Sequence, residues 1–251
     1  MDNIIGRNII TLAEVDSTNN YANQLEDDKS THGTVILADS QIDGRGQRGN
    51  VWESEAGKNL ILSVILKHKG LAAQEHFMLN IFCSLSICHT VQEFTGEECC
   101  IKWPNDIYLL NNKICGILIE NTINGSNISK SIIGIGLNVN QARFSKDIPN
   151  PTSIYTESGT ETPVKKVFEL LIENLNRFYR TLADKEYKYL HDAYLSKLYR
   201  IGETHQFIDK TGRARKFKGE IIGINDLGQL QILDSKGKLR EFNFKEVEFV
   251  I

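Results

Sequence analysis

The chain has 251 residues, enough for one large domain or for a domain of about 200 residues with a small companion. Hydrophobic residues at 41% and charged residues at 24% are ordinary globular values, and a formal net charge of −3 gives no global reason to expect a polyanionic partner. The five cysteines show no C-x-x-C pair and no histidines at metal-ligand spacing, which argues against a zinc module and for reduced thiols; without a leader or a sustained apolar run, the expectation is a soluble cytoplasmic protein.

In chain order, TLAEVDSTNNYANQL (11–25) reads as a short strand entering a helix, with Asp16 or Ser17 as N-cap. TVILAD (34–39), β-branched and apolar, is a strand leading into DGRGQRGNVW (43–52), where Gly44, Gly46 and Gly49 spell G-x-G-x-x-G. NLILSVILK (59–67) is again a strand, and an amphipathic helix is expected from about Ala72 to Phe94, closed by Gly96. Residues 99–140 hold four short apolar runs separated by Pro-Asn, Asn-Asn and Asn-Gly turn signals, the pattern of an antiparallel meander. Helices are expected over 163–183 and 186–200. From Gly202 onward, five short runs at about ten-residue spacing predict a small β-barrel. The reading is an α+β domain over 1–200 followed by a β-barrel domain over 201–251.

The glycine spacing is shared by unrelated phosphate-binding loops. A dinucleotide-binding loop needs a helix beginning at its third glycine, whereas here Asn50, Val51 and Trp52 lead to a Gly57 turn and a strand. A kinase loop matches formally, because GRGQRGNV fits G-x-G-x-x-G-x-V and VILK (64–67) imitates the lysine strand, but no H-R-D or D-F-G follows. A Walker loop fails because Gly57-Lys58 is followed by Asn59. What remains is a strand-flanked loop carrying Arg45 and Arg48, whose planar donors match carboxylate and phosphate oxygens. Taken alone, it reads equally as a tight surface turn with solvated arginines.

Four further stretches are chemically dense: DSTN (16–19), KWPND (102–106), KICGILIE (113–120) and GIGLNVN (134–140). With the glycine loop, they stand in the order and approximate spacing of the biotin protein ligases, and the chain resembles that family over nearly its whole length. The resemblance implies a mixed, mostly antiparallel sheet with flanking helices, similar to class II synthetases, and an SH3-like C-terminal barrel. It implies an ATP-dependent ligase that converts biotin to biotinyl-5′-adenylate and passes the acyl group to one lysine of a biotin carboxyl carrier protein. Such chemistry asks for positioning and for neutralisation of charge between two anions, by cations, backbone amides and Mg²⁺.

By the same resemblance, Ser17, Thr18 and Gln41 would bind the biotin head group. Gly44 and Arg45, helped by Arg48, would close over the carboxylate and α-phosphate, and Trp52 would stack near the adenine. Lys102 and Lys113 would face the reacting oxygens, Gly116 would let β-strand backbone approach the biotin rings, and Asn138 would contact the adenine or ribose. Asn105 and Asp106 would sit beside the nucleotide, Asp106 assisting the incoming amine. No side-chain metal site is expected. Read plainly, Ser17 and Thr18 cap a helix, Lys113 follows a hairpin turn, and Pro-Asn-Asp makes a turn.

Two departures stand out. Family loops often read G-R-G-R-x-G-R, and here Gln47 and Asn50 replace two arginines, which predicts weaker retention of the adenylate. Some members carry an N-terminal DNA-binding domain, whereas this sequence begins at NIITLAEVDSTNN, so DNA is not an expected partner. No membrane partner is expected either, and the chain is expected as a monomer or homodimer. A lipoate- or octanoate-protein ligase of the same fold is the alternative. A nucleic-acid binder built on Lys210, Arg213, Arg215, Lys216 and Lys218 is disfavoured, because nine Lys or Arg against eight Asp or Glu from Ile201 onward balance the barrel's charge.

Overall fold

The structure, a computed structural model, describes residues 4–26 and 29–250, without the side chain of Arg48. Seven strands form one sheet: β1 (Ile9–Val15), β2 (Thr34–Gln41), β3 (Leu60–Ala72), β4 (Cys99–Lys102), β5 (Asp106–Leu109), β6 (Asn112–Asn124) and β7 (Asn127–Leu137). Their spatial order is β1-β2-β3-β7-β6-β5-β4, with β1 parallel to β2 and every other pair antiparallel. The expected meander is β4 to β7. Its long hairpin turns through Gly125 and Ser126, and Gly125 supplies the positive φ (61°) that so tight a connection needs.

Alternation along the strands sorts the two faces. Leu60, Leu62, Val64 and Leu66 of β3 join Ile133, Ile135 and Leu137 of β7 in the main core. That core is completed by α2 (Phe77–Thr95), α4 (Val164–Ala183) and α5 (Tyr187–Leu195). On the other face, Ile36, Ile65 and Ile132 pack with Ala22 of α1 (Thr18–Gln24).

Three expectations about helices change. Leu71 and Ala72 extend β3 past a bulge to pair with Ile128 and Asn127, so α2 begins at Phe77 rather than near Ala72; Gly96 closes it in the left-handed conformation as expected. α2 is also buried on nearly all sides rather than amphipathic, because the sheet covers one flank and α4 and α5 cover others. The last helix stops at Leu195, and a short α3 (Ile154–Ser158), capped by Ser153, lies where none was expected.

Residues beyond α5 tie the large sheet to the second one. Leu198 bridges Ile101, Ile201 bridges Ile221, and the buried Trp103 donates to the Gly228 carbonyl (2.9 Å) while packing edge-on to Phe244. The second sheet comprises β8 (Thr204–Asp209), β9 (Arg215–Ile224), β10 (Leu230–Asp234), β11 (Leu239–Phe242) and β12 (Val247–Phe249), all antiparallel, in the order β11-β10-β9-β8-β12. These are the five short strands expected after Gly202, and among the described residues no ladder joins β11 to β12. The five cysteines are free thiols, and burial pushes Cys83, Cys88 and Cys115 well above their ordinary range. No described helix is long and apolar enough to cross a membrane.

Candidate active site

The glycine loop folds back on itself. Trp52 N donates to the Gly44 carbonyl (2.8 Å) and Gly46 N to the Asn50 carbonyl (2.7 Å), with a 3₁₀ turn over Gln47–Gly49 at the tip. Gly44 is required by contact: a Cβ there would lie 2.3 Å from the Trp52 carbonyl oxygen. Beyond the loop, the Trp52 ring lies across β6 and β7, where a Cβ on Gly136 would come within 2.4 Å of the indole and one on Gly116 within 3.1 Å. Two strands therefore give up side chains so that one tryptophan can lie flat on the sheet. Its buried indole N–H has no acceptor among the described residues, and buried donors of this kind are uncommon.

Loop, sheet and α1 together enclose a cleft of about 230 Å³. Ser17, Thr18 and Asn19, all buried, line it from the start of α1. Thr18 donates through both its backbone N–H (2.8 Å) and its hydroxyl (3.1 Å) to Gln41 Oε1, which commits that oxygen and turns the Gln41 amide nitrogen into the remaining polar group. Ser17 occupies the N-cap position, yet its side chain makes no capping hydrogen bond, so its hydroxyl is left for the cleft. On the opposite wall, Lys113 Nζ forms an ion pair with Asp106 Oδ1 (2.6 Å) and stands 5.7 Å from the centre of the Trp52 ring. Asn105 donates to the Ile117 carbonyl and accepts through its own carbonyl from Ile117 N, clasping the KWPND turn to β6.

Among the described residues, Arg45, Lys113 and Lys245 line the cleft as cations and Asp106 as a carboxylate, with Glu120 paired to Arg45 beside them, so the cleft carries a small net positive charge suited to an anionic ligand. Of the residues expected from sequence, Ser17, Thr18, Gln41, Arg45, Trp52, Asn105, Asp106, Lys113 and Gly116 meet here. Gly44 acts behind them through backbone. The Arg48 side chain lies outside the described residues. Lys102 and Asn138 are not in the lining. Lys102 Nζ donates to the Tyr108 hydroxyl (2.8 Å) and sits over the Tyr108 and Phe249 rings, where burial pushes its pKa down. Asn138 is buried and donates to the Thr152 carbonyl (2.8 Å), behind Lys113.

Sequence reasoning missed Asn19, Gly134, Gly136, Glu120 and Lys245. The two glycines and Glu120 stand inside quoted motifs, and their period-two placement on one face was the available signal. Lys245 reaches the cleft from the connection between β11 and β12, and no local pattern marks it.

Residues 12–138 match the model of the biotin/lipoate A/B protein ligase family. The chain is 31% identical, over 90% of its length and 95% of the relative's, to the biotin–[acetyl-CoA-carboxylase] ligase of Paracoccus denitrificans. It is 29% identical to the bifunctional ligase/repressor BirA of Bacillus subtilis over 93% of its length and 72% of that protein. Among solved structures, the biotin protein ligase from Aquifex aeolicus in complex with biotin and ATP superposes with a TM-score of 0.81 at 28% identity, covering 97% of this chain and all of the other. With the glycine loop, the cationic cleft and these likenesses in agreement, the chain belongs to the biotin/lipoate A/B protein ligase family.

Proposed function

We propose that this protein attaches biotin to a lysine of a biotin carboxyl carrier protein, using ATP and passing through biotinyl-5′-adenylate. The observation that carries the reading is the cleft itself: a flat indole on two glycine strands, a polar end built from Ser17, Thr18 and Gln41, and a cationic end built from Arg45 and Lys113. A bicyclic acid fits that layout, ureido group at Ser17, Thr18 and Gln41, carboxylate toward Lys113, and rings against Gly116 and against Trp52, whose ring lies over Gly116 and Gly136 and so is assigned to the biotin side rather than to the adenine. The likeness to ligases named for biotin, one of them solved with biotin and ATP, favours biotin over lipoate or octanoate.

In the first step a biotin carboxylate oxygen attacks the α-phosphorus and pyrophosphate leaves. The protein's part is to bring two anions together, and Lys113 and the loop amides, with Arg45 beside them, supply fixed positive charge where it develops. Lys245 would meet the phosphates from the C-terminal side. In the second step the carrier amine attacks the acyl carbon, AMP leaves, and Asp106 takes up the amine proton. Lys102 and Asn138 act from behind the cleft, Lys102 by fixing β4 against Tyr108 and Asn138 by holding the Thr152 segment. Mg²⁺ would be held chiefly by phosphate oxygens and water, as this ion is beside nucleotides, and Asp106 is the lining carboxylate available to it; when bound it neutralises phosphate charge. We divide the chain at about residue 200 into a catalytic unit and a C-terminal unit.

The first step is tested by pyrophosphate release. Release that requires biotin and ATP together, with octanoate and lipoate inert, is expected; release driven by lipoate or octanoate alone would transfer the reading to those acids. Gln47 and Asn50 leave fewer cations on the loop, so Gln47→Arg is expected to slow dissociation of biotinyl-adenylate by about threefold to tenfold, a gain of about 1 kcal/mol. An unchanged off-rate would show that the loop's charge does not retain the adenylate.

A further inference from the structure

Between α1 and β6 runs a chain of polar contacts that the roles above leave unused. Glu120 lies four residues beyond Gly116 on β6, so the pleat directs it to the cleft side of the sheet. Its Oε1 accepts from Arg45 Nη2 (2.8 Å) and its Oε2 from Asn19 Nδ2 (2.7 Å). The other arm of the guanidinium, Nη1, donates to Asn20 Oδ1 (2.6 Å), and Asn20 donates onward to Asp16 (2.8 Å). Asn19 is itself held, because its Oδ1 accepts from the Ser63 hydroxyl (2.6 Å) and abuts Gly134 so closely that a Cβ there would lie 2.4 Å away. Both Glu120 oxygens are thus tied to groups anchored on the sheet and on α1.

Arg45 is the second residue of the glycine loop and sits between the two backbone hydrogen bonds that shape it. Its pair with Glu120 fastens the first half of the loop to the sheet, as the Trp52 ring against Gly116 and Gly136 does for the second. A partly exposed ion pair of this kind adds little to global stability, so its effect falls on where the loop stands rather than on whether the protein folds. Two of the five guanidinium N–H donors are committed to Glu120 and Asn20, which leaves three for a ligand.

We infer that Glu120 is a positioning residue for the ligase reaction: by gripping Arg45 it holds the glycine loop closed, so that loop amides and the remaining guanidinium donors face the nucleotide phosphates. The inference rests on the ligase reading for its nucleotide but not for its fastening. Glu120→Ala, Glu120→Gln, Arg45→Ala and the Glu120→Ala/Arg45→Ala double variant, each in the full chain, test it by two readouts. In the absence of substrates, trypsin cleavage after Arg48 is expected to be about tenfold faster in Glu120→Ala at an unchanged melting temperature, because local opening rather than unfolding exposes the bond. In pyrophosphate release, KM for ATP is expected to rise about tenfold with kcat within about threefold, Glu120→Gln recovering most of the loss and the double variant no worse than Arg45→Ala. Wild-type cleavage and wild-type KM in Glu120→Ala would overturn the inference, as would a double variant whose losses simply add. Faster cleavage in a protein that releases no pyrophosphate at all would keep the fastening and overturn the ligase reading instead.

Discussion

On β7, Ile133, Ile135 and Leu137 turn toward α2, while Gly134 and Gly136 between them turn toward the cleft. β6 does the same, with Cys115 and Ile117 in the core and Gly116 and Glu120 on the other side. One face of the sheet is close-packed with large apolar groups; on the other, β6 and β7 carry glycines under the cleft so that an indole, α1 and a loop can approach. The first face holds the fold and the second holds the ligand, and since one backbone serves both, damage to each should be separable by measurement.

The sharpest break is on the packed face. Phe82→Ala removes a fully buried ring that meets Tyr179 edge-on, and is expected to cost about 3–5 kcal/mol of stability, read from urea unfolding, with KM preserved in whatever fraction stays folded. On the cleft face, Lys113→Ala is expected to lower kcat for pyrophosphate release about 10²–10³-fold while its denaturation midpoint stays near wild type, because the lost interaction matures in the transition state. A melting temperature that falls with kcat would merge the two faces and refute their separation. Gly136→Ala pushes a methyl group against Trp52, so biotin affinity should fall about tenfold, or about 1.4 kcal/mol, by calorimetry, with a smaller stability change than Phe82→Ala.

A separate, pH-dependent effect concerns the far end of β3. Burial lowers the pKa of His68 to about 4, and its Nε2 meets the Ser131 hydroxyl at 2.9 Å. The unfolded chain takes up this proton near 6.5 and the folded protein only near 4, so stability should fall as pH drops through that window and level off below it. His68→Gln should flatten this part of the stability–pH curve without moving the pH profile of kcat. A shifted activity profile would connect His68 to the cleft.

Much of this was legible from residues. Alternation and turn signals located β2, β3 and the β4–β7 meander, and the rejection of helix-dependent glycine loops was correct because β-structure does follow Trp52. Ser17, Thr18, Gln41, Arg45 and Lys113, singled out through the family resemblance, line one cleft. The resemblance sets Lys102 at the reacting oxygens, whereas here its side chain bonds the Tyr108 hydroxyl and lies over the ring of Phe249, a contact with a strand about 150 residues away. The same distance hid Lys245. α2 misled for a related reason: whether a helix shows one apolar face or several depends on how many neighbours cover it, and those neighbours come from residues 164–195.

The most direct test of the account is to incubate the purified protein with biotin, Mg-ATP and an isolated biotin carboxyl carrier domain, with lipoate and octanoate in parallel, and to read the intact mass of the carrier. The account predicts one biotinyl group per carrier, on a single lysine, only when ATP is present, and none from the other acids. Transfer of lipoyl or octanoyl groups instead of biotin, or no transfer of any acid, would contradict it.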